Sequence, residues 1–221
     1  MIKRKRKAPF DTFYVRIIQY VLGFITLPFG VVMVLTTGLG AGPWDTTAYN
    51  LSNLIDITLG MSAGIINAAV MGVVMLYRRK WRYVFMLIPI LGISSFLDFW
   101  DIIVFSNFDF ESLFMGYRLV LFLVGTFFLT MGLSMIIQSD FPAGVFDELM
   151  ILIMDLFNTK NIFFARLAVE TLAITLAIIF GLLAGIGLGA VNVGSILLAI
   201  LLAPLLQVQM QWMGRFVYER S

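Results

Sequence analysis

The chain has 221 residues, of which 61% are hydrophobic and 13% charged, and its formal net charge is +2. Because soluble domains carry about a quarter of charged residues, this composition excludes a soluble globular protein and indicates an integral membrane protein. The sequence contains no Cys and no His, which excludes disulfides, thiolate nucleophiles, imidazole bases and the usual zinc or haem ligands. We therefore expect the lipid bilayer as a partner, no nucleic acid, no cofactor, no metal site and no catalytic residues.

The N-terminal segment 1–16 begins with Met-Ile-Lys-Arg-Lys-Arg-Lys and predicts a cytoplasmic basic tail that contacts anionic lipid. The apolar run 17–36 that follows is too long for the core of a signal peptide. It is long enough to cross the hydrocarbon core of a bilayer, so it is predicted as the first span.

A glycine-rich motif follows the first span, Gly38-Leu-Gly-Ala-Gly-Pro-Trp-Asp45. It predicts an irregular loop and then a short amphipathic helix over 46–59, with Asp45 as the N-cap. The apolar face of that helix is predicted to hold Ala48, Leu51, Leu54, Ile55 and Leu59, and the polar face Asn50, Asn53 and Asp56.

The rest of the chain continues this alternation of apolar segments and connectors. A looser copy of the motif, Pro142-Ala-Gly-Val-Phe-Asp147, precedes a second short helix that reaches Phe157, and Gly185, Gly187 and Gly189 predict a turn. Further spans are predicted at 61–77, 83–104, 119–138, 162–183 and 191–213, with a connector at 105–118 and a tail at 214–221.

The distribution of basic residues predicts the orientation of the six spans. With a cytoplasmic N-terminus, the segments 78–82, 138–161 and 214–221 lie inside, and every Lys and Arg except Arg118 and the membrane-embedded Arg166 falls on that side. This is the positive-inside pattern, so both termini are predicted to be cytoplasmic.

The two halves of the sequence match when one is shifted by 102 residues without a gap. The matched pairs include Arg16 with Arg118, Gly23 with Gly125, Gly30 with Gly132, Ala41 with Ala143, Gly42 with Gly144, Trp44 with Phe146, Asp45 with Asp147 and Asp56 with Asn158. The shift predicts two repeats, 17–104 and 119–213, each containing three spans. Because three is odd, the repeats are predicted to be inverted relative to each other, as in many secondary transporters. The predicted fold is therefore all-α, with six transmembrane helices in two inverted repeats, each with a glycine-rich loop and a short half-helix.

The motif Gly-x-Gly-x-Gly-Pro-Trp-Asp between the first two spans resembles the YitT/YczE/YyaS group of small bacterial membrane proteins. The resemblance extends to the six-span layout and covers the whole chain, with a looser second copy of the motif. It implies a bacterial plasma-membrane protein and supports the architecture, but it implies no particular chemistry.

Six residues are candidates for a substrate site: Trp44, Asp45, Asn67, Asp98, Phe146 and Asp147. The two aromatic–aspartate pairs either cap helices at the membrane interface or mark re-entrant loops that dip towards the midplane. Asp98 either binds a cation or proton or pairs with Arg118, and Asn67 either serves the site or faces a helix interface. Arg166 and Glu170, four residues apart, are predicted to form a structural ion pair.

The predicted function is a small secondary transporter for an unidentified solute or cation, with H⁺ or Na⁺ as the coupling ion. The alternative is a non-catalytic accessory or substrate-binding subunit that docks on a larger membrane complex. A membrane-protein partner or a second copy of the chain is compatible with either function. An enzyme is not expected, since only a carboxylate dyad is available for catalysis.

Overall fold

The computed structural model describes residues 9–108, 110, 112–142, 144–159 and 161–218, and every regular element within them is helical. Parts of the predicted features lie outside the described residues: residues 1–8 of the basic tail, Asp109 and Glu111 of the connector, Ala143 of the repeat, and 219–221 of the C-terminal tail.

The described part of the chain forms eight α-helices: α1 (Pro9–Thr36), α2 (Pro43–Ile55), α3 (Leu59–Arg78), α4 (Leu87–Asp98), α5 (Met115–Gln138), α6 (Val145–Leu156), α7 (Ile162–Leu183) and α8 (Val193–Tyr218). A 3₁₀ turn (Trp81–Met86) precedes α4 and a π-helical segment (Phe99–Val104) follows it. Six helical segments are long and apolar enough to cross a membrane, as predicted: Phe13–Thr36, Leu59–Arg78, Tyr83–Val104, Met115–Gln138, Phe163–Leu183 and Val193–Met213. The two short helices, α2 and α6, follow the first span of each half.

The centre of the bundle is the antiparallel crossing of α1 and α5, where the two backbones touch. A Cβ atom added at Gly30 would overlap the backbone of Leu129, and one added at Gly132 would overlap the backbone of Leu27. The two contacts are equivalent under the shift of 102 residues, since Gly30 corresponds to Gly132 and Leu27 corresponds to Leu129. Glycine at these positions is what allows the two helices to pack so closely.

Left-handed backbone positions follow the same shift of 102 residues. Gly38 (φ 64°) corresponds to Asp140 (φ 57°), and Asp56 (φ 54°) corresponds to Asn158 (φ 46°). Glycine, Asp and Asn are the residues that tolerate this conformation most readily. The chain therefore turns in the same way after α1 and α5, and again after α2 and α6.

The outer helices pack differently in the two halves. In the first half, α3 packs along α4, and α4 packs on α1. In the second half α8 packs on α5, but α7 and α8 make almost no contact with each other. Instead, α7 packs along α2 and on α6, while α6 also contacts α3. The two short helices thus join the halves, and an open space remains beside α8.

The two ends of the bundle are distinguished by charge. Arg16, Arg78, Arg79 and Lys80 lie at one end, which we call the basic end. Arg118 and the α7–α8 connector lie at the other end, which we call the opposite end.

The predicted amphipathic character of the first short helix is wrong in two respects. Asn50, assigned to its polar face, is fully buried, while Ile55, assigned to its apolar face, is about half exposed. The reason is that α2 packs along α7, where Thr47 Oγ1 donates to the carbonyl of Ala173 and Asn50 Nδ2 donates to the carbonyl of Ala177, each at 2.8 Å. A face built from Thr and Asn is buried because its polar groups find backbone partners on the facing helix.

Candidate functional site

Both short helices have a glycine as N-cap, three residues before the aspartate of the corresponding motif. Gly42 is the N-cap of α2 and Gly144 the N-cap of α6, both in extended conformation. Pro43, whose fixed φ suits the first helical position, starts α2. The prediction that Asp45 is an N-cap is therefore wrong. Asp45 and Asp147 lie in the first turns, where a carboxylate interacts favourably with the positive end of the helix dipole.

The two short helices meet at their N-termini. The rings of Trp44 and Phe146 stack with their centroids 4.0 Å apart and their planes inclined by 16°. These residues are the aromatic members of the two motif copies, separated by 102 positions in the sequence. The segments that the sequence singled out from opposite halves are therefore in direct contact.

Arg166 of α7 connects carboxylates from two elements. Its Nε lies 2.8 Å from Glu170 Oε1, which is the i, i+4 pair expected from the sequence. Its Nη1 lies 3.5 Å from Asp147 Oδ1 at the start of α6. The sequence did not indicate this second contact, because nothing in the spacing relates α6 to α7. Arg166 thus belongs to the place where the short helices meet.

The carboxyl groups at the starts of the short helices have unusual acidities. Burial raises the pKa of Asp45 from 3.8 to about 7, and the nearby Glu170 carboxylate adds to the rise. Burial also raises the pKa of Asp147, although Arg166 opposes the shift and Glu148 adds to it. A carboxyl group with a pKa of about 7 exchanges its proton in the physiological range, which is typical of functional sites.

A cavity of about 2130 Å³ lies beside the stacked rings. All eight helices contribute to its mainly apolar wall. Of the predicted substrate-site residues, those on the wall are Trp44, Asp45, Asn67 and Phe146, accompanied by Arg166 and Glu170. Asp147 does not line the cavity, but it forms an ion pair with Arg166, which does.

Asn67 lies on the cavity wall, in the middle of α3. Its Nδ2 donates a hydrogen bond to the backbone carbonyl of Ala63, one turn earlier in the same helix, at 2.7 Å. Within the described residues this is the one hydrogen bond of its side chain.

Asp98 is separate from this site. It accepts hydrogen bonds from Thr58 Oγ1 at 2.7 Å and from the Gly60 amide at 2.6 Å, at the start of α3. Arg118 donates instead to the carbonyl of Thr37 at 2.8 Å. The predicted pairing of Asp98 with Arg118 is therefore wrong. The groups at the start of α3, including a free backbone amide, bind Asp98 instead of Arg118.

Asn50 makes buried polar contacts that the sequence did not reveal. Its Nδ2 donates to the carbonyls of Ala177 (2.8 Å) and Leu188 (3.2 Å), and its Oδ1 accepts from the Ala190 amide at 3.2 Å. A Cβ atom at Gly189, which has a φ of 58°, would overlap the Asn50 side chain. Asn50 thus binds α2 to α7 and to the α7–α8 connector at the opposite end. The only signal in the sequence was a polar residue at helical spacing from Thr46 and Thr47.

Thr46 is a second buried polar residue that sequence reasoning missed. It lies next to Asp45 on the cavity wall and is only 1% exposed. Within the described residues, its Oγ1 has no hydrogen-bond partner, and the same holds for Trp44 Nε1 and Glu170 Oε2. Three buried polar atoms around the cavity therefore lack partners within the described part of the chain.

Comparisons with known proteins agree with the resemblance seen in the motif. The model of a family of unknown function, DUF6198, matches residues 14–211. The chain is 27% identical over 202 residues to the uncharacterized protein YyaS of Bacillus subtilis strain 168, which covers 91% of this chain and 96% of the relative. It is 30% identical over 189 residues to the uncharacterized membrane protein YczE of the same bacterium, covering 85% of this chain and 82% of the relative. No solved structure matches the chain.

Proposed function

The chain belongs to the DUF6198 family and is similar to a membrane protein of Bacillus subtilis, and we propose that it is a small secondary transporter of the bacterial plasma membrane. The observation that carries this proposal is the stack of Trp44 on Phe146 at the edge of a large cavity. Transporters built from inverted repeats place their substrate at the repeat interface, next to interrupted helices whose N-termini point at the site. The starts of α2 and α6 fit that description.

The proposed architecture is two inverted repeats, 17–104 and 119–213. The reciprocal contacts of Gly30 with Leu129 and of Gly132 with Leu27 support it, since a two-fold relation between α1 and α5 requires them in pairs. The matching left-handed positions after equivalent helices support it as well. The segments around 38–59 and 140–157 are then re-entrant loops with half-helices, protected from lipid by the surrounding protein.

The difference between the halves supports alternating access to the cavity. In the first half α3 and α4 are packed together, whereas in the second half α7 and α8 are apart. The bonds of Asn50 hold α2 to α7 and the connector at the opposite end, and the Gly194 amide donates to the carbonyl of Leu39 there at 2.7 Å. We assign this arrangement to a state that is closed at the opposite end. In the second state the two halves exchange these arrangements, so that α7 packs along α8 while α3 and α4 separate.

Orientation and coupling complete the proposal. The basic end, with Arg78 to Lys80, faces the cytoplasm together with both termini, in keeping with the positive-inside rule. The coupling ion is H⁺ or Na⁺, because the ionisable groups on the cavity wall are carboxylates and one guanidinium.

Cysteine accessibility tests the proposal without knowledge of the solute, and the absence of native Cys removes any background labelling. Gln207→Cys reports on the cavity wall near the basic end, and Ser195→Cys reports on the wall near the opposite end. A membrane-impermeant thiol reagent is applied to vesicles of each orientation. We expect Gln207→Cys to react readily from the cytoplasmic side and Ser195→Cys to react slowly from the other side.

Adding Asn50→Leu removes the bonds at the opposite end and should reverse these two rates. Ser106→Cys, exposed in the connector after the π-helical segment, is the control and should react from the outer side in both backgrounds. Rates at positions 195 and 207 that do not change in opposite directions would contradict alternating access. If a stoichiometric membrane partner also copurified in mild detergent, an accessory subunit would replace the transporter as the better explanation.

A further inference from the structure

The charges around the cavity are unbalanced. Asp45, Asp147 and Glu170 supply three carboxylates, and Arg166 supplies a single guanidinium. The N-termini of α2 and α6 add about half a positive charge each. With every carboxyl ionised, the site therefore carries about one negative charge in excess, which one bound monovalent cation would neutralise.

Among the described residues, the Glu170 carboxylate of α7 is the charged group that acts on Asp45 directly. Arg166 pairs with Glu170 and with Asp147 of α6, which completes the charged groups of this site. Glu148 turns away to Arg78, 3.8 Å distant at the edge of α3. Residues 59–76 of α3 and 193–213 of α8 contain no titratable side chain. The excess negative charge is therefore located where the N-termini of α2 and α6 meet α7.

Buried polar atoms point to a ligand rather than to a self-contained ion pair. Thr46 Oγ1 and Glu170 Oε2 have no hydrogen-bond partner within the described residues, although Thr46 is 1% exposed. Because it is unfavourable to leave buried polar groups unpaired, a bound group that pairs with them is favoured. Glu170 Oε2 can only accept a hydrogen bond, Thr46 Oγ1 can accept or donate one, and Trp44 Nε1, the third such atom on the cavity wall, can only donate. The unpaired carboxylate oxygen suits a ligand with cationic or donor character.

The shape and polarity of the cavity describe the rest of the ligand. The wall is mainly apolar, and the stacked Trp44 and Phe146 are part of it. Aromatic faces attract cations, most strongly where water is excluded. Arg166 lies between the carboxylates of Asp147 and Glu170, and among the described residues no three acidic side chains converge as metal ligands. A diffuse organic charge fits this arrangement better than a compact metal ion.

From these observations we infer that the solute is a monovalent organic cation with an apolar body, bound at Asp45 and Glu170 beside the aromatic pair in competition with a proton. This inference rests on the proposed transport function and specifies its substrate class. Loss of one proton from Asp45 creates the excess negative charge, and return of the proton removes it. Cation and proton therefore exclude each other at the site, which is the requirement for exchange of one for the other.

Binding of two probes of the same shape and opposite charge tests the inference: tetraphenylphosphonium and tetraphenylborate, each added to the purified protein in nanodiscs. We expect the phosphonium cation to bind saturably at about pH 8 and about tenfold more weakly at about pH 6, because the pKa of Asp45 is about 7. The borate anion should show no saturable binding at either pH. Equal binding of both probes, or binding of the cation that does not vary with pH, would overturn the inference.

Variants identify the group responsible. Asp45→Asn should weaken cation binding at about pH 8 by at least about tenfold and remove its pH dependence. Asp56→Asn is the matched control, since Asp56 lies at the end of the same helix, exposed and away from the cavity, and should behave as wild type. Unchanged binding in Asp45→Asn would contradict the assignment. The pH series on the wild-type protein remains decisive even if Asp45→Asn fails to fold.

The outcome also separates the inference from the function on which it rests. If positions 195 and 207 change accessibility in opposite directions but neither probe binds as expected, the substrate class is wrong and the transporter stands. If their accessibility is fixed, the transport proposal fails irrespective of cation binding.

Discussion

Arg16 and Arg118 make the same contact at opposite ends of the α1–α5 crossing. Arg16 Nε donates to the carbonyl of Ser139 after α5 at 2.6 Å, and Arg118 Nε donates to the carbonyl of Thr37 after α1 at 2.8 Å. Both donors and both acceptors are related by the shift of 102 residues. Arg118 is the exception to the predicted distribution of positive charge, and in the structure it binds the carbonyl that follows α1.

The glycines of the crossing should be equally important in both halves. Gly30→Ala and Gly132→Ala each place a methyl group against the backbone of the facing helix, and we expect each to destabilise the protein by about 1–3 kcal/mol. Thermal unfolding in detergent measures the effect as a lower Tm. Gly72→Ala is the control, because a Cβ atom there meets nothing within 4 Å, and its Tm should be unchanged or slightly higher. A loss confined to one glycine would contradict the reciprocal packing.

Asp45→Asn should stabilise the protein in a pH-dependent manner. The pKa of Asp45 is raised from 3.8 to about 7, so the folded state holds the proton more tightly than the unfolded state. Ionisation of Asp45 therefore lowers the free energy of unfolding progressively between about pH 4 and 7, and Asn avoids this loss. The Tm difference between variant and wild type should be near zero at about pH 4, grow up to about pH 7 and then level off. A difference that is largest in acid would show that burial does not govern this carboxyl group.

Removal of the guanidinium of Arg166 should raise the pKa of Asp147 further. Arg166 opposes the upward shift that burial causes, and Arg166→Gln abolishes this opposition while retaining hydrogen-bonding capacity. Infrared spectroscopy of the protonated carboxyl band, followed through a pH titration, measures the change. Arg79→Gln, an exposed substitution at the basic end, is the control and should leave the titration unchanged. Identical titrations of Arg166→Gln and wild type would rule out the contact between α6 and α7.

Asn50→Leu should destabilise the opposite end of the bundle. The substitution leaves the buried carbonyls of Ala177 and Leu188 and the amide of Ala190 without their present partner, at about 1–3 kcal/mol for each buried group. Hydrogen exchange should show faster exchange in the α7–α8 connector than in α1 or α5. Asn53→Leu is the matched control, since Asn53 is exposed and bonds only to Tyr49 within its own helix. Equal exchange in the two variants would contradict the role of Asn50.

The apolar segments predicted most of the helical architecture, because their length and composition are encoded locally in the chain. Six helices long and apolar enough to cross a membrane are present, with ends within a few residues of those predicted except at the first, where α1 begins at Pro9. The start of α2 was misplaced because Asp45 competes as a cap with Gly42, and the fixed φ of Pro43 decides in favour of glycine.

The candidate site was predictable only in its parts. Trp44 and Phe146 were recognised as equivalents, but whether they meet depends on how α2 and α6 tilt into the bundle, which no local pattern encodes. Asn50 was assigned to the polar face of its helix because its polarity is visible in the sequence, whereas its partners, the carbonyls of α7 and of the connector, are not. Asp98 was assigned the wrong partner for a similar reason, since free amides at a helix start are invisible to charge matching.

The close crossing of α1 and α5 also limits which parts of the molecule can move. With glycine backbones in direct contact at Gly30 and Gly132, the two helices cannot slide along each other without driving a side chain into a facing backbone. The two helices are therefore expected to keep their relative position when the protein changes conformation. The conformational change then consists of rotations of the surrounding helices relative to the α1–α5 pair.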